Sequence, residues 1–289
     1  MAEFGISVAL LTPFTADGAL DLPCMGAHAQ GLLRDGADGI TLFGTTGEGA
    51  SVGMEERGVA IDALVAQGLP AGRLTLGICA TSVANAAAQV RQGLAAGIRV
   101  FLVLPPFYFP NPDQDGLFDW HAALMAATDP AAQFILYHIP QVTGVALSPA
   151  LVDRLRIAFP ARVRAIKDSS ADWDTAQSFL ALDGLSVLVG DERLLHRAAA
   201  LGGAGAISGV ANLHPARLRH VLTSKTEDAA LSREVDAIVA HPVIPALKAL
   251  LADRTGDAAW ARLRPPLHPL AAPERAALLA AVGTAPVHG

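Results

Sequence analysis

The chain has 289 residues, of which 52% are hydrophobic and 17% charged, and it carries a formal net charge of −6. A chain of this make-up can bury a large core and is too apolar for intrinsic disorder. The acidic balance, with no block of basic residues, argues against nucleic acid or an anionic membrane surface as a partner.

The N-terminal stretch "MAEFGISVALLTPF" has no basic segment and no small-residue cleavage site, so no signal peptide is expected. No apolar run reaches ~18 residues free of charge or helix breakers, so no membrane span is expected. Cys24 and Cys79 are the only two cysteines and lie far apart. They suggest a reducing compartment without a disulfide framework, and the cytoplasm is the expected location.

Along the chain, short β-rich runs alternate with Ala- and Leu-rich stretches of helical spacing. The runs are "ISVALL", "GITLF", "RLTLGIC", "RVFLVL", "QFILYHI", "VRAIKD", "LSVLVG" and "GAISGV". Between them lie stretches such as "PCMGAHAQGLLRDG", "EERGVAIDALVAQG", "VANAAAQVRQGLAAG" and "DERLLHRAAALGG". Several of these end in glycine, a common helix stop. Nearly continuous apolar strands suit a sheet covered on both faces. Eight strand–helix units predict a closed (β/α)₈ TIM barrel over residues 1–225. Residues 226–289 are read as further helices, interrupted by Pro242, Pro245, Pro265 and Pro266 and packed on the barrel as one structural unit.

A barrel places its chemistry at the C-terminal strand ends. Those ends read "GTTGEGAS", "PPFYFP", "YHIPQVTG", "KDSS", "GDER" and "SGVAN". Lys167 closes the apolar run "VRAIK". It is either a strand-end lysine reaching solvent or pairing with Asp168, or a nucleophile. Burial disfavours an ammonium, and a neutral amine can attack a ketone to form a Schiff base, an electron sink for breaking a C–C bond. Tyr137, near the end of the neighbouring strand, is either a core residue with a tethered hydroxyl or a proton shuttle facing the same cavity. The turn from Gly44 to Gly49 offers backbone N–H groups and two hydroxyls that could cup a carboxylate. The alternative is a plain turn in which Thr46 caps the helix beginning near Met54. No HExxH motif, Walker A loop, dinucleotide fingerprint or GxSxG elbow is present, so no metal or nucleotide cofactor is expected.

The ordered set "GTTGEGAS", "PPFY", "YHIPQVTG", "IKDSS", "GDE" and "GGAGAISGVAN" resembles the N-acetylneuraminate lyase and dihydrodipicolinate synthase superfamily, the class I pyruvate-dependent aldolases. The likeness runs from about residue 5 to 225 in order, and more loosely to "PALKALLADRTGD". It implies a covalent imine between Lys167 and pyruvate, and general acid–base work by Tyr137. It implies that Thr45 links that phenol to a second tyrosine, Tyr108, which in the family reaches into the neighbouring subunit's site. A homo-oligomer follows, at least a dimer and commonly a tetramer. Thr46, with Gly44 beside it, would hold the pyruvate carboxylate, and the Ile207 carbonyl would line the lysine pocket.

The substrate beyond pyruvate is less tightly marked. Dihydrodipicolinate synthases carry an arginine where Val142 stands, and an apolar side chain cannot replace its charged fork. Losing that contact should cost several kcal/mol, roughly the scale of a charge-assisted hydrogen bond or more. Ser169, Asp191, Glu192 and Ser208 match positions at which the sialic acid lyase branch binds sugar hydroxyls. Asp191 and Glu192 could equally just open a helix, where negative charge is favoured. His138 could touch substrate or be a packed, satisfied histidine. The resulting expectation is a lyase acting on a 2-keto-3-deoxy sugar acid or a related hydroxylated keto acid, releasing pyruvate and an aldehyde. The alternatives are a dihydrodipicolinate synthase, a Schiff-base dehydratase or hydratase-aldolase, and a non-catalytic keto-acid-binding barrel.

Overall fold

The computed structural model describes residues 4–109 and 111–283. Pro110, inside the aromatic loop after the fourth strand, and the chain ends 1–3 and 284–289 of the expected spans lie outside the described residues.

The eight apolar runs form eight parallel strands that close on themselves in sequence order. They are β1 (Gly5–Ala9), β2 (Gly39–Leu42), β3 (Leu74–Ile78), β4 (Val100–Val103), β5 (Gln133–His138), β6 (Val163–Asp168), β7 (Ser186–Val189) and β8 (Gly205–Ser208). The helices between them are α1 (Leu22–Arg34), α2 (Met54–Ala66), α3 (Val83–Ala95), α4 (Gln114–Ala126), the single turn α5 (Pro140–Thr143), α6 (Pro149–Ala158), α7 (Trp173–Leu180) and α8 (Leu195–Ala200). Beyond β8 come α9 (Pro215–Ser224), α10 (Ala229–Val239), α11 (Val243–Thr255) and α12 (Ala272–Val282). The expected (β/α)₈ barrel with C-terminal helices is the observed fold.

Side-chain hydroxyls and carboxylates start several helices where sequence pattern alone was ambiguous. Asp21 accepts from Cys24 N at 3.1 Å, and Ser148 accepts from Leu151 N at 3.1 Å ahead of Pro149. Each such cap satisfies a donor the helix cannot, worth about 1 kcal/mol.

The barrel floor is apolar. Ala9, Leu102, Ile135, Ala165, Leu188 and Ile207 pack inside it. The strands' outer faces pack on the helices in a second, larger core that includes Phe101, Phe134, Leu136, Ile166 and Phe179. The seam between β8 and β1 needs close backbone approach. Gly205 has φ +140°, and a Cβ there would lie 1.8 Å from the Gly5 carbonyl oxygen, so only glycine fits. Asn212 fastens the same seam. Its amide nitrogen donates to the Ala9 and Gly209 carbonyls at 2.8 Å each, and its oxygen accepts from Leu11 N at 3.0 Å.

The C-terminal helices are clamped by charge. Glu234 on α10 accepts from Arg254 on α11 at 2.8 Å and from Arg217 on α9 at 3.3 Å, and it meets His214 Nε2 at 2.7 Å. Pro242 does not break a helix but caps α11, and Pro245 sits in its first turn. No single helix among the described residues is long and apolar enough to cross a membrane.

Desolvation pushes three histidines down to about 4: His121 and His138, both buried, and the half-buried His28. In the unfolded chain a histidine titrates near ~6.5. Between those values the unfolded state binds the extra protons, so stability rises with pH. The contribution is complete above about pH 6.5 and is lost as pH falls toward 4, on the order of 3 kcal/mol for each histidine. Urea unfolding at a series of pH values should show this slope, and His121→Leu should flatten it by one proton. An unchanged slope in that variant would locate the proton uptake elsewhere.

Candidate active site

Strand alternation decides which residues see the barrel interior. On β5 the inward set is Ile135 and Tyr137, continued by Ile139, and on β6 it includes Ala165. Lys167 lies two residues beyond Ala165 and so shares its face. The β5–β6 register pairs Tyr137 directly with Lys167. Lys167 Nζ donates to the Tyr137 hydroxyl at 3.1 Å, and the two residues are 5% and 3% exposed. The lysine therefore does not reach solvent, and its side chain meets the phenol, whereas Asp168 on the opposite face accepts from Ser170 N at 3.0 Å.

Thr45, just after β2, reaches the same phenol at 3.4 Å. Burial alone would raise the Tyr137 phenol. The nearby Lys167 charge and the hydrogen bonds of Thr45, Lys167 and Ser169 outweigh it and hold the phenol below its ordinary value. An oxygen so placed can take a proton from a reacting group and return it. Tyr137→Phe removes that relay and should lower kcat about a hundredfold to ten-thousandfold. Pyruvate adduct formation at Lys167 should continue more slowly. Equal kcat in mutant and wild type would remove the phenol from the chemistry.

The cavity above Lys167 has a volume of about 380 Å³. Thr46, Ser169, Asp191, Glu192 and Ile207 line it together with Lys167, Tyr137 and Thr45. Thr46 does not cap α2, whose N-cap is Gly53. It stays at the cavity, beside Gly209, where a Cβ would come within 3.3 Å of its hydroxyl. Gly190 is similarly restricted, because a Cβ there would lie 2.0 Å from the Ser169 hydroxyl.

Some expected residues lie elsewhere or are engaged differently. His138 points away from the cavity. Its Nδ1 accepts from Leu147 N at 3.1 Å and its ring packs edge-on against Phe179 at 5.4 Å. The structure places it in the packed arrangement, outside the cavity above Lys167. Gly44 lines an adjoining cavity of about 300 Å³ with Phe107 and Leu104, not the one above Lys167. Ser208 donates its hydroxyl to Glu192, whose carboxylate also accepts from Val210 N at 3.3 Å. Burial raises the Glu192 carboxyl, with the Ser208 hydrogen bond opposing. Tyr108 is 78% exposed and stacks edge-on with Phe109 at 5.4 Å, outside the cavity of its own chain.

Two arrangements were not anticipated. Arg193 forks onto Asp191 at 3.0 and 2.6 Å and reaches Asp236 of α10 at 2.7 Å. Asp191 also caps the turn after β7 by accepting from Arg193 N at 3.0 Å, so the helix-opening alternative is realised alongside its place in the cavity. The second is a buried ion pair under the "GTTGEG" turn. Lys248 of α11 donates to Glu48 and to the Arg262 carbonyl at 2.7 Å, and Arg264 N donates to Glu48 at 3.2 Å. Both charged side chains are fully buried. A lysine inside the otherwise apolar "PALKALL" was the available signal.

The family model for the "Dihydrodipicolinate synthetase family" matches residues 3–285. A dihydrodipicolinate synthase structure from Agrobacterium tumefaciens superposes with a TM-score of 0.94 at 41% identity, covering 96% of this chain and 98% of that one. The "Uncharacterized DapA-like lyase" of Chloroflexus aurantiacus is 35% identical over 96% of this chain and 95% of its own length. The 4-hydroxy-tetrahydrodipicolinate synthase of Corynebacterium diphtheriae is 32% identical over 84% of this chain and 80% of its own.

Proposed function

The chain belongs to the dihydrodipicolinate synthetase family and is a lyase, and from this we propose that it forms an imine between Lys167 and pyruvate to make or break a C–C bond with an aldehyde. The observation that carries the proposal is the buried Lys167–Tyr137 contact at 3.1 Å, with Thr45 completing the chain of hydroxyls. Binding alone needs no buried amine against a phenol, which disfavours the non-catalytic barrel.

In the synthetic direction, the Lys167 amine adds to the pyruvate ketone, and loss of water leaves the imine. Removing a methyl proton gives an enamine, whose carbon attacks the aldehyde carbon. The aldehyde oxygen takes up a proton, which Tyr137 is placed to deliver. Water then releases the 4-hydroxy-2-oxo acid and restores the amine. Cleavage is the reverse. Thr46 and the turn that carries it would hold the pyruvate carboxylate.

The relatives' names favour a second reading, condensation of pyruvate with the aldehyde used by 4-hydroxy-tetrahydrodipicolinate synthases. Against it stands Val142, which lines the cavity at the position where the family resemblance implies an arginine for that reaction. The sugar-acid expectation is weakened by the internal Ser208–Glu192 and Arg193–Asp191 bonds, which occupy groups a polyol would need. A pyruvate-coupled lactate dehydrogenase assay with a series of 4-hydroxy-2-oxo acids is expected to show pyruvate release from at least one. Release from none, with no condensation in reverse, would contradict the proposal.

Tyr108 completes the proposal as a residue donated to a neighbouring copy, in an assembly of two or four chains. Sedimentation at micromolar concentration should show that assembly, and a monomer would remove Tyr108 from the site.

A further inference from the structure

We infer that the acceptor half of the cavity takes an uncharged aldehyde bearing an apolar substituent, aliphatic or aryl. This rests on the imine proposal and specifies what meets the enamine.

One wall of the cavity is aliphatic. Ile139 and Val142 of the β5–α5 segment line it together with Val239 at the end of α10 and Val243, Ile244 and Leu247 of α11. Val142, Val239 and Val243 are 59%, 45% and 41% exposed, so an apolar substituent would remove them from water.

The charged groups on the other side are already engaged. Among the described residues lining the cavity, the cations are Lys167 and Arg193. Lys167 is reserved for the keto carbon. Each guanidinium nitrogen of Arg193 already donates to a carboxylate, of Asp191 or of Asp236. An acceptor carboxylate would therefore meet a guanidinium whose charge is already offset by two carboxylates, and would face Asp191 and Glu192. A polyol fares little better, because it would exchange existing internal hydrogen bonds for new ones at little net gain. An aliphatic or aryl group meets no such competition, and a single matched methylene in an apolar pocket is worth about tenfold or more in kcat/KM.

The test has two arms. Deuterium exchange into the methyl group of pyruvate in heavy water reports the imine and enamine with no acceptor present. Condensation is then measured as kcat/KM for isobutyraldehyde and benzaldehyde against glyceraldehyde and succinic semialdehyde. The expected result is exchange in the first arm, and a preference of tenfold or more for the apolar pair in the second. Val142→Arg should shift the ratio of succinic semialdehyde to isobutyraldehyde by tenfold or more toward the anion. Exchange together with equal or better use of glyceraldehyde or succinic semialdehyde, no turnover of the apolar pair, or an unmoved ratio in Val142→Arg would overturn the acceptor assignment alone. Absence of exchange in folded protein would overturn the imine proposal and this inference with it.

Discussion

Lys167→Met is expected to keep the fold and lose the reaction. Methionine fills nearly the same volume as the lysine stem and removes an ammonium that is only 5% exposed. The partner left behind is a phenol, which can remain neutral, so no buried charge is stranded. Stability should therefore hold or improve. Pyruvate turnover should fall about ten-thousandfold or more, the scale seen when a covalent nucleophile is removed. The variant also changes Tyr137. Of the chain's two tyrosines, this one is held below its ordinary value partly by the charge of Lys167. Removing that charge raises the phenol, so its tyrosinate absorbance should appear at higher pH than in the wild type. Turnover within tenfold of wild type in this variant would mean that another group carries the chemistry.

Breaking the Glu48–Lys248 pair is expected to give the largest loss of stability. Both partners are fully buried and 200 residues apart in sequence. Burial lowers the Lys248 ammonium despite the opposing Glu48 carboxylate. Glu48→Gln or Lys248→Met leaves the other charge buried without its partner, at a cost of about 3–5 kcal/mol. The double variant should lose much less than the sum, since it strands neither charge. Chemical denaturation of the two singles and the double measures this directly, and additive losses would contradict it. Glu48 also sits at φ +52° and Phe43 at φ +55°, a left-handed backbone that costs on the order of 1–3 kcal/mol at each non-glycine residue. The ion pair helps hold that turn, and with it Thr45 and Thr46. The KM for pyruvate should therefore rise in either single variant.

Local pattern carried most of the fold. Strands such as "QFILYH" and "VRAIKD" are largely buried on both faces, and the glycine-ended helices between the strands point to parallel βαβ units. The same pattern placed Lys167 and Tyr137 at adjacent strand ends, and the register then made them direct neighbours. What pattern could not supply was how polar groups share one another across the barrel. Glu192 and Ser208 both line up at strand ends, yet they bond to each other. Asp191 is taken by Arg193, which in turn needs Asp236 from a helix 43 residues on. His138 was ambiguous until strand alternation turned it outward, one residue past the inward Tyr137. Long-range pairing of this kind depends on three-dimensional proximity, which short-range periodicity does not encode.

Reduction with sodium borohydride in the presence of pyruvate, followed by peptide mapping, reads the Schiff base itself. A reduced three-carbon acid attached to the peptide that contains Lys167, and absent from Lys167→Met, is the expected result. An unmodified protein, or an adduct on Lys225 or Lys248 in place of Lys167, would contradict imine chemistry at this barrel mouth.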